Sequence, residues 1–205
     1  MRKEDVRLGD KLVSRAEAVK TLAGAFMRRR EGDRVGLIAF ADKPFLIAPL
    51  TYDVRAVESF LDEVTVGLPG RKTAIGDAIG MAIEQLGRQP QASRVLVLLT
   101  DGDGNAGGLR PERAAAMADR YRVRVHTIGF GGDAGDGRGA SLATIAQATG
   151  GRHFSAADVR SLQAVYEALD TLEPTISDKQ RRFGARDYGP LCLAVTVICA
   201  LLLCV

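Results

Sequence analysis

Residues Arg94–Gly102 read RVLVLLTDG, and this stretch decides the fold. Val95 to Leu99 are apolar without interruption, the pattern of a parallel strand covered on both faces. The run stops at Thr100-Asp101-Gly102, so a hydroxyl and a carboxylate stand where the strand gives way to a glycine turn. In open α/β sheets ligands bind beyond the carboxyl ends of the strands, which puts Thr100 and Asp101 where a site would lie. Taken alone, an aspartate in a glycine turn reads more readily as a turn or helix-capping residue.

Outward from this strand, segments of helical and strand-like period alternate. Ser14 to Arg30 reads as a helix: Ser14 is a fitting N-cap, Glu17 stands three residues on, and Val19, Leu22, Ala23 and Phe26 recur on one face. Gly32-Asp33 breaks it. Val35–Phe40 and Phe45–Leu50 are short apolar runs joined by Ala41-Asp42-Lys43-Pro44, which predicts an antiparallel hairpin with Pro44 at its turn or edge. Asp53 caps a helix through Val64, and a further helix runs from Thr73 to Leu86. Beyond the central strand, Pro111 opens a helix through Tyr121. Then follow a strand Val123–Phe130, a helix Ser141–Thr149, a strand Arg152–Phe154 and a helix Asp158–Leu172. Strands alternating with helices imply a mostly parallel sheet wrapped on both sides, a three-layer α/β domain.

The composition narrows the function classes. Net charge is +3 and Trp is absent, so neither the electrostatic footprint nor the stacking surface of a nucleic-acid binder is present. All three cysteines (Cys192, Cys199, Cys204) lie in the apolar tail, which excludes a disulfide scaffold or thiolate zinc site in the domain. The N-terminal MRKEDVRLGDKLVSR has basic residues but no apolar stretch, unlike a signal peptide. The tail from Leu191 to Val205 reads LCLAVTVICALLLCV without a charge. A spanning helix needs ~20 apolar residues, and Tyr188 to Pro190 extend this run at the interface. A buried core helix would show a polar face, and this segment has none. The expected organisation is a domain over residues 1–174, a basic juxtamembrane linker over 175–187 and a C-terminal transmembrane helix over 188–205.

A second stretch changes the weight of Asp101. In Gly70-Arg-Lys-Thr73-Ala-Ile-Gly76-Asp77, Thr73 stands at a helix entrance, its hydroxyl beside backbone N–H groups. The pairing of this Thr with the Asp after the buried strand resembles the von Willebrand factor A (VWA) fold and its metal-ion-dependent adhesion site. GDRVGLIAFADKPFLIAPLTYD, GRKTAIGDAIGMAI, RVLVLLTDG and VHTIGFG are similar to the aerotolerance-type (Bat) membrane VWA proteins of bacteria, over roughly Glu4 to Glu173. The resemblance implies a three-layer Rossmann-like VWA fold and a cation site held by Thr73 and Asp101, with Asp103 as a local substitute donor. Hydroxyl and carboxylate oxygens suit Mg²⁺, which keeps waters and leaves a position for a partner's carboxylate. It further implies a membrane helix after the domain in a bacterial inner membrane. It also implies a non-enzymatic protein-interaction role, with a MoxR-type AAA+ ATPase or other VWA proteins as partners. The side of the membrane stays open. Lys179, Arg181, Arg182 and Arg186 before the tail put the domain in the cytoplasm by the positive-inside rule, whereas longer relatives carry earlier helices that place it outside.

The departure from the pattern matters as much. No Asp-x-Ser-x-Ser precedes the first helix, and Met1 falls where that motif ends in the family. The first, central strand of the family's sheet is therefore expected to be missing. If about four of its side chains are buried at ~1.5–3 kcal/mol each, the loss is roughly 6–12 kcal/mol. That is comparable to the whole net stability of a domain, ~5–15 kcal/mol. A late start predicts an apolar strand ending in that motif in the upstream coding DNA.

Rival motifs are weaker. Asp101-Gly-Asp103-Gly-Asn105 with Glu112 imitates a calcium loop, but Ala106 stands where glycine is needed and a strand enters it. Gly67 to Thr73 (GLPGRKT) imitates the end of a P-loop, yet Arg71 and Val66 occupy required glycine positions. A nucleotide hydrolase using Lys72 and Asp101 remains the alternative from another class, and an inactive remnant a third. His126 and His153 read as core or edge histidines. Asp133 and Asp136 lie in a glycine-rich run that reads as a surface loop.

Overall fold

The computed structural model describes residues 4–8, 11–64, 73–87, 93–101, 107–130 and 138–175. The seven strands are β1 (Glu4–Leu8), β2 (Lys11–Ser14), β3 (Val35–Phe40), β4 (Pro44–Thr51), β5 (Arg94–Thr100), β6 (Val123–Phe130) and β7 (His153–Ala156). The six helices are α1 (Arg15–Arg28), α2 (Val54–Glu63), α3 (Ile75–Gly87), α4 (Pro111–Arg120), α5 (Arg138–Ala148) and α6 (Val159–Leu172).

Local chemistry sets most boundaries. Ser14 Oγ accepts from Glu17 N at 3.2 Å while the Glu17 carboxylate accepts from Ser14 N, a complete capping box. Asp53 accepts from Ala56 N at 3.0 Å to start α2, and Asp158 with Ser161 repeats the box at α6. Pro111 sits in the first turn of α4, where its missing N–H costs nothing. Several expected boundaries shift: α1 ends at Arg28 rather than Arg30, and the strand expected at Arg152–Phe154 runs from His153 to Ala156. α3 begins at Ile75 rather than Thr73: Ala74 flanks it, its carbonyl accepting from Ala78 N at 3.1 Å while its own N donates to Ala41 O at 2.8 Å. α5 begins three residues earlier than Ser141. The β1–β2 hairpin was not expected from the sequence. It pairs Leu8 with Lys11 and lies against α1 and α6.

β5, β6 and β7 form a parallel ladder in which Thr100 pairs with Gly129. β3 and β4 form a separate antiparallel ladder. Two helices, α3 and α1, pack against both. On one face α3 packs against β3, β4 and β5, and Ile75, Ile79 and Ile83 join Leu98, Val125 and Leu142, with Phe40 of β3 at the margin. Each such burial contributes about 1.5–3 kcal/mol. On the other face α1 serves both ladders: Phe26 packs on the β6–α6 cluster, and Met27 on that of Ala48 and Val57.

Among the described residues no strand joins β3 to β5. Burial follows. β6, flanked on both edges, is almost wholly buried, whereas most of β5 and β3 is half-buried. The full cover expected for Val95–Leu99 is therefore not met. No helix among the described residues is long and apolar enough to cross a membrane; the proposed span at 188–205 lies outside them.

Candidate functional site

The entrance of α3 gathers the site. Thr73 is half-buried immediately before Ala74, whose bond to Ala41 O ties this point to the end of β3. Asp101 is exposed directly after β5. From the α3 side, Asp77 reaches the chain returning from β5: its Oδ1 accepts from Leu109 N at 2.7 Å and its Oδ2 from Gly108 N at 3.0 Å. Two glycines allow this close approach. Gly107 has φ +101°, and a Cβ there would stand 2.7 Å from Asp77 Oδ2. A Cβ on Gly76 would stand 1.9 Å from Leu109 O. Thr73 thus stands at the helix entrance and Asp101 at the strand end.

Their oxygens are of the type a hard divalent cation takes. Asp103, the third expected donor, lies outside the described residues, as do Lys72, Asp133 and Asp136. Among the described residues no group of three or more His, Cys, Asp or Glu side chains could hold a metal. The residue that sequence reasoning missed is Asp77. Its signal was present as an acid in the first turn of a helix, but its partners are backbone groups that only the tertiary fold brings near.

The histidines are structural, as expected. His126 is buried three rungs back from the level of Thr100, about 10 Å along the strand. Its Nδ1 accepts from Arg152 N at 3.1 Å, which leaves Nε2 as the donor toward Glu173 Oε1 at 3.1 Å. Glu173 also pairs with Arg124, and its carbonyl accepts from Arg30, which bonds Asp170 at 2.8 Å and stacks on Phe26. His153 Nδ1 lies 3.0 Å from Thr127 Oγ1.

The sequence pattern of the von Willebrand factor type A domain matches residues 8–168. The chain belongs to the VWA family. Domains of this family are in general non-enzymatic protein-interaction and adhesion modules. An uncharacterized protein of Borreliella burgdorferi is 30% identical over 118 residues, covering 58% of this chain and 35% of its own length. A UPF0353 protein of Mycobacterium tuberculosis is 28% identical across 99% of this chain and 66% of its own length. The chain thus spans less than two thirds of the length of these relatives.

Among solved structures, an aerotolerance-related membrane protein of Bacteroides fragilis superposes with a TM-score of 0.64 at 25% identity, covering 78% of this chain and 89% of that one. BatB of Bacteroides thetaiotaomicron gives 0.66 at 24% identity over 77% and 88%. Proximal thread matrix protein 1 of the mussel byssus, solved with a zinc-occupied MIDAS motif, gives 0.66 at 23% identity over 76% and 40%. Aerotolerance-type proteins are thus among the structural neighbours of the VWA chain.

Proposed function

We propose that this VWA domain is a non-enzymatic, membrane-anchored interaction module that offers its Thr73–Asp101 end to a protein partner. What supports the reading is an exposed carboxylate just beyond β5 together with a half-buried threonine just before α3, whose first turn is bonded to the chain that follows β5. A partner carboxylate can complete the shell of a cation held there, which is how an oxygen-ligand site becomes a docking point. Mg²⁺ is the cation proposed, bound weakly because Thr73 and Asp101 supply few donors and Asp103 would have to add another. The domain occupies 1–174, a basic linker 175–187 and an anchoring helix 188–205, in the inner membrane of a bacterium. The membrane proteins among its structural neighbours support that anchor. The partner proposed is a MoxR-type AAA+ ATPase or a further VWA protein.

The test is capture of a purified MoxR-type ATPase from the same genome by the full chain in detergent, with Mg²⁺ and with chelator. Asp101→Ala should abolish capture while Glu112→Ala, on the exposed start of α4, leaves it intact. Equal capture by both variants would sink the reading.

A further inference from the structure

We propose that Asp77 is the positioning residue of the Thr73–Asp101 site, holding the entrance of α3 against the β5 side of the sheet without itself binding the cation. This rests on the reading of that end as a cation-dependent docking site. The entrance of α3 needs holding because it sits over the break between the two ladders, where no described strand links β3 to β5. On the β3 side the tie is the bond from Ala74 N to Ala41 O. On the β5 side it is the Asp77 carboxylate, which spans to two successive backbone N–H groups at 2.7 and 3.0 Å.

Three features mark this contact as built. The carboxylate lies in the first turn of α3, where the helix dipole favours negative charge. Its two acceptors meet two adjacent N–H groups, a bidentate arrangement stronger than neutral pairing. Gly76 and Gly107 leave out the Cβ atoms that would force the two backbones apart. Both oxygens of Asp77 already accept from the backbone, so the residue is committed to orientation. Thr73 lies four residues earlier on the same rigid entrance, and a shift there moves its hydroxyl relative to Asp101. Residues that orient metal ligands in this way typically change affinity by about 10–100-fold when altered.

The experiment uses the full chain in detergent with terbium(III) as probe, since its higher charge compensates for few donors. Terbium luminescence under direct excitation, whose lifetime lengthens as bound waters are lost, gives the component of binding lost in Asp101→Ala, and hydrogen exchange follows the amides of Gly108 and Leu109. Asp77→Asn keeps the shape but turns an amide N–H₂ toward one of the two backbone donors. It should weaken the Asp101-dependent terbium binding about tenfold or more and release both amides. Ile83→Val, two turns further along α3, is the control for a general loss of stability and should leave terbium affinity unchanged. If Asp77→Asn does not fold, Asp77→Ser, which keeps one acceptor, makes the same comparison. Released amides with unchanged terbium affinity would overturn the positioning role and leave the docking site standing. Amides that stay protected would overturn the contact itself. An unaltered chain with no Asp101-dependent terbium binding would overturn the underlying site reading, and the positioning role with it.

Discussion

Glu173, just past the end of α6, accepts a hydrogen bond from His126 Nε2 at 3.1 Å, so α6 is tied to the middle of the parallel ladder. The same carboxylate pairs with Arg124. Removing it in Glu173→Ala leaves a buried imidazole donor without its acceptor, at a cost of about 1–3 kcal/mol. A urea midpoint lowered by that amount, with the slope unchanged, is the expected outcome; a midpoint within error of the parent would show that the contact contributes nothing.

His153 gives the stability a pH dependence of known sign. Burial lowers its pKa from the usual imidazole value, partly opposed by a hydrogen bond with the Thr127 backbone. The unfolded chain therefore takes up this proton at higher pH than the folded one. Stability from this residue is full above about pH 6.5 and is lost as pH falls through the lower, folded-state value. Urea midpoints measured from about pH 8 to about pH 5 should decline on the acid side. His153→Gln should remove part of that decline, and an identical decline in the variant would contradict the assignment.

Gly76 has no room for a side chain. In Gly76→Ala the new methyl meets the backbone oxygen of Leu109, which cannot rotate away. Overpacking of this kind costs about 1–3 kcal/mol or more. Thermal melts of Gly76→Ala beside Gly108→Ala, where nothing lies within 4 Å, make the comparison, and only the first should lose stability through contact.

Magnesium itself should bind too weakly for calorimetry to detect at physiological concentration, because this ion gives up its hydration shell reluctantly. Tight binding that disappears in Asp101→Ala would show a more complete donor set than Thr73 and Asp101 supply.

Membrane attachment through residues 188–205 predicts that the full chain sediments with membranes and that a chain ending before Tyr188 does not. A full chain that stays soluble and monomeric would remove the anchor from the proposal.

The elements legible in the sequence were those whose ends are set by neighbours along the chain. Ser14 with Glu17, Asp53, Pro111 and Asp158 each carry their own boundary chemistry, and β3 falls where its apolar run begins and ends. The β1–β2 hairpin was missed because its strands are five and four residues long and carry no apolar run; Gly9-Asp10 between them was the available cue. For the candidate site, Thr73 and Asp101 were readable as residue types at strand and helix ends. Asp77 was not, since its meaning lies in two amides some thirty residues away. The half-burial of Val95 and Val97 was also beyond reach, because an apolar run records what a strand can bury and not which neighbour lies beside it.

The broken sheet has a consequence for which of its borders can recruit another chain. Its outer border at β4 carries Pro44 and Pro49, neither of which has an N–H to offer, and the opposite border, β7, is only four residues long. β3 and β5 contain no proline, and among the described residues each has a strand neighbour on one side only, β4 and β6, with α3 packed on both. Blunted outer borders mean that edge-to-edge stacking of whole molecules is disfavoured, so self-association through sheet extension has little to build on.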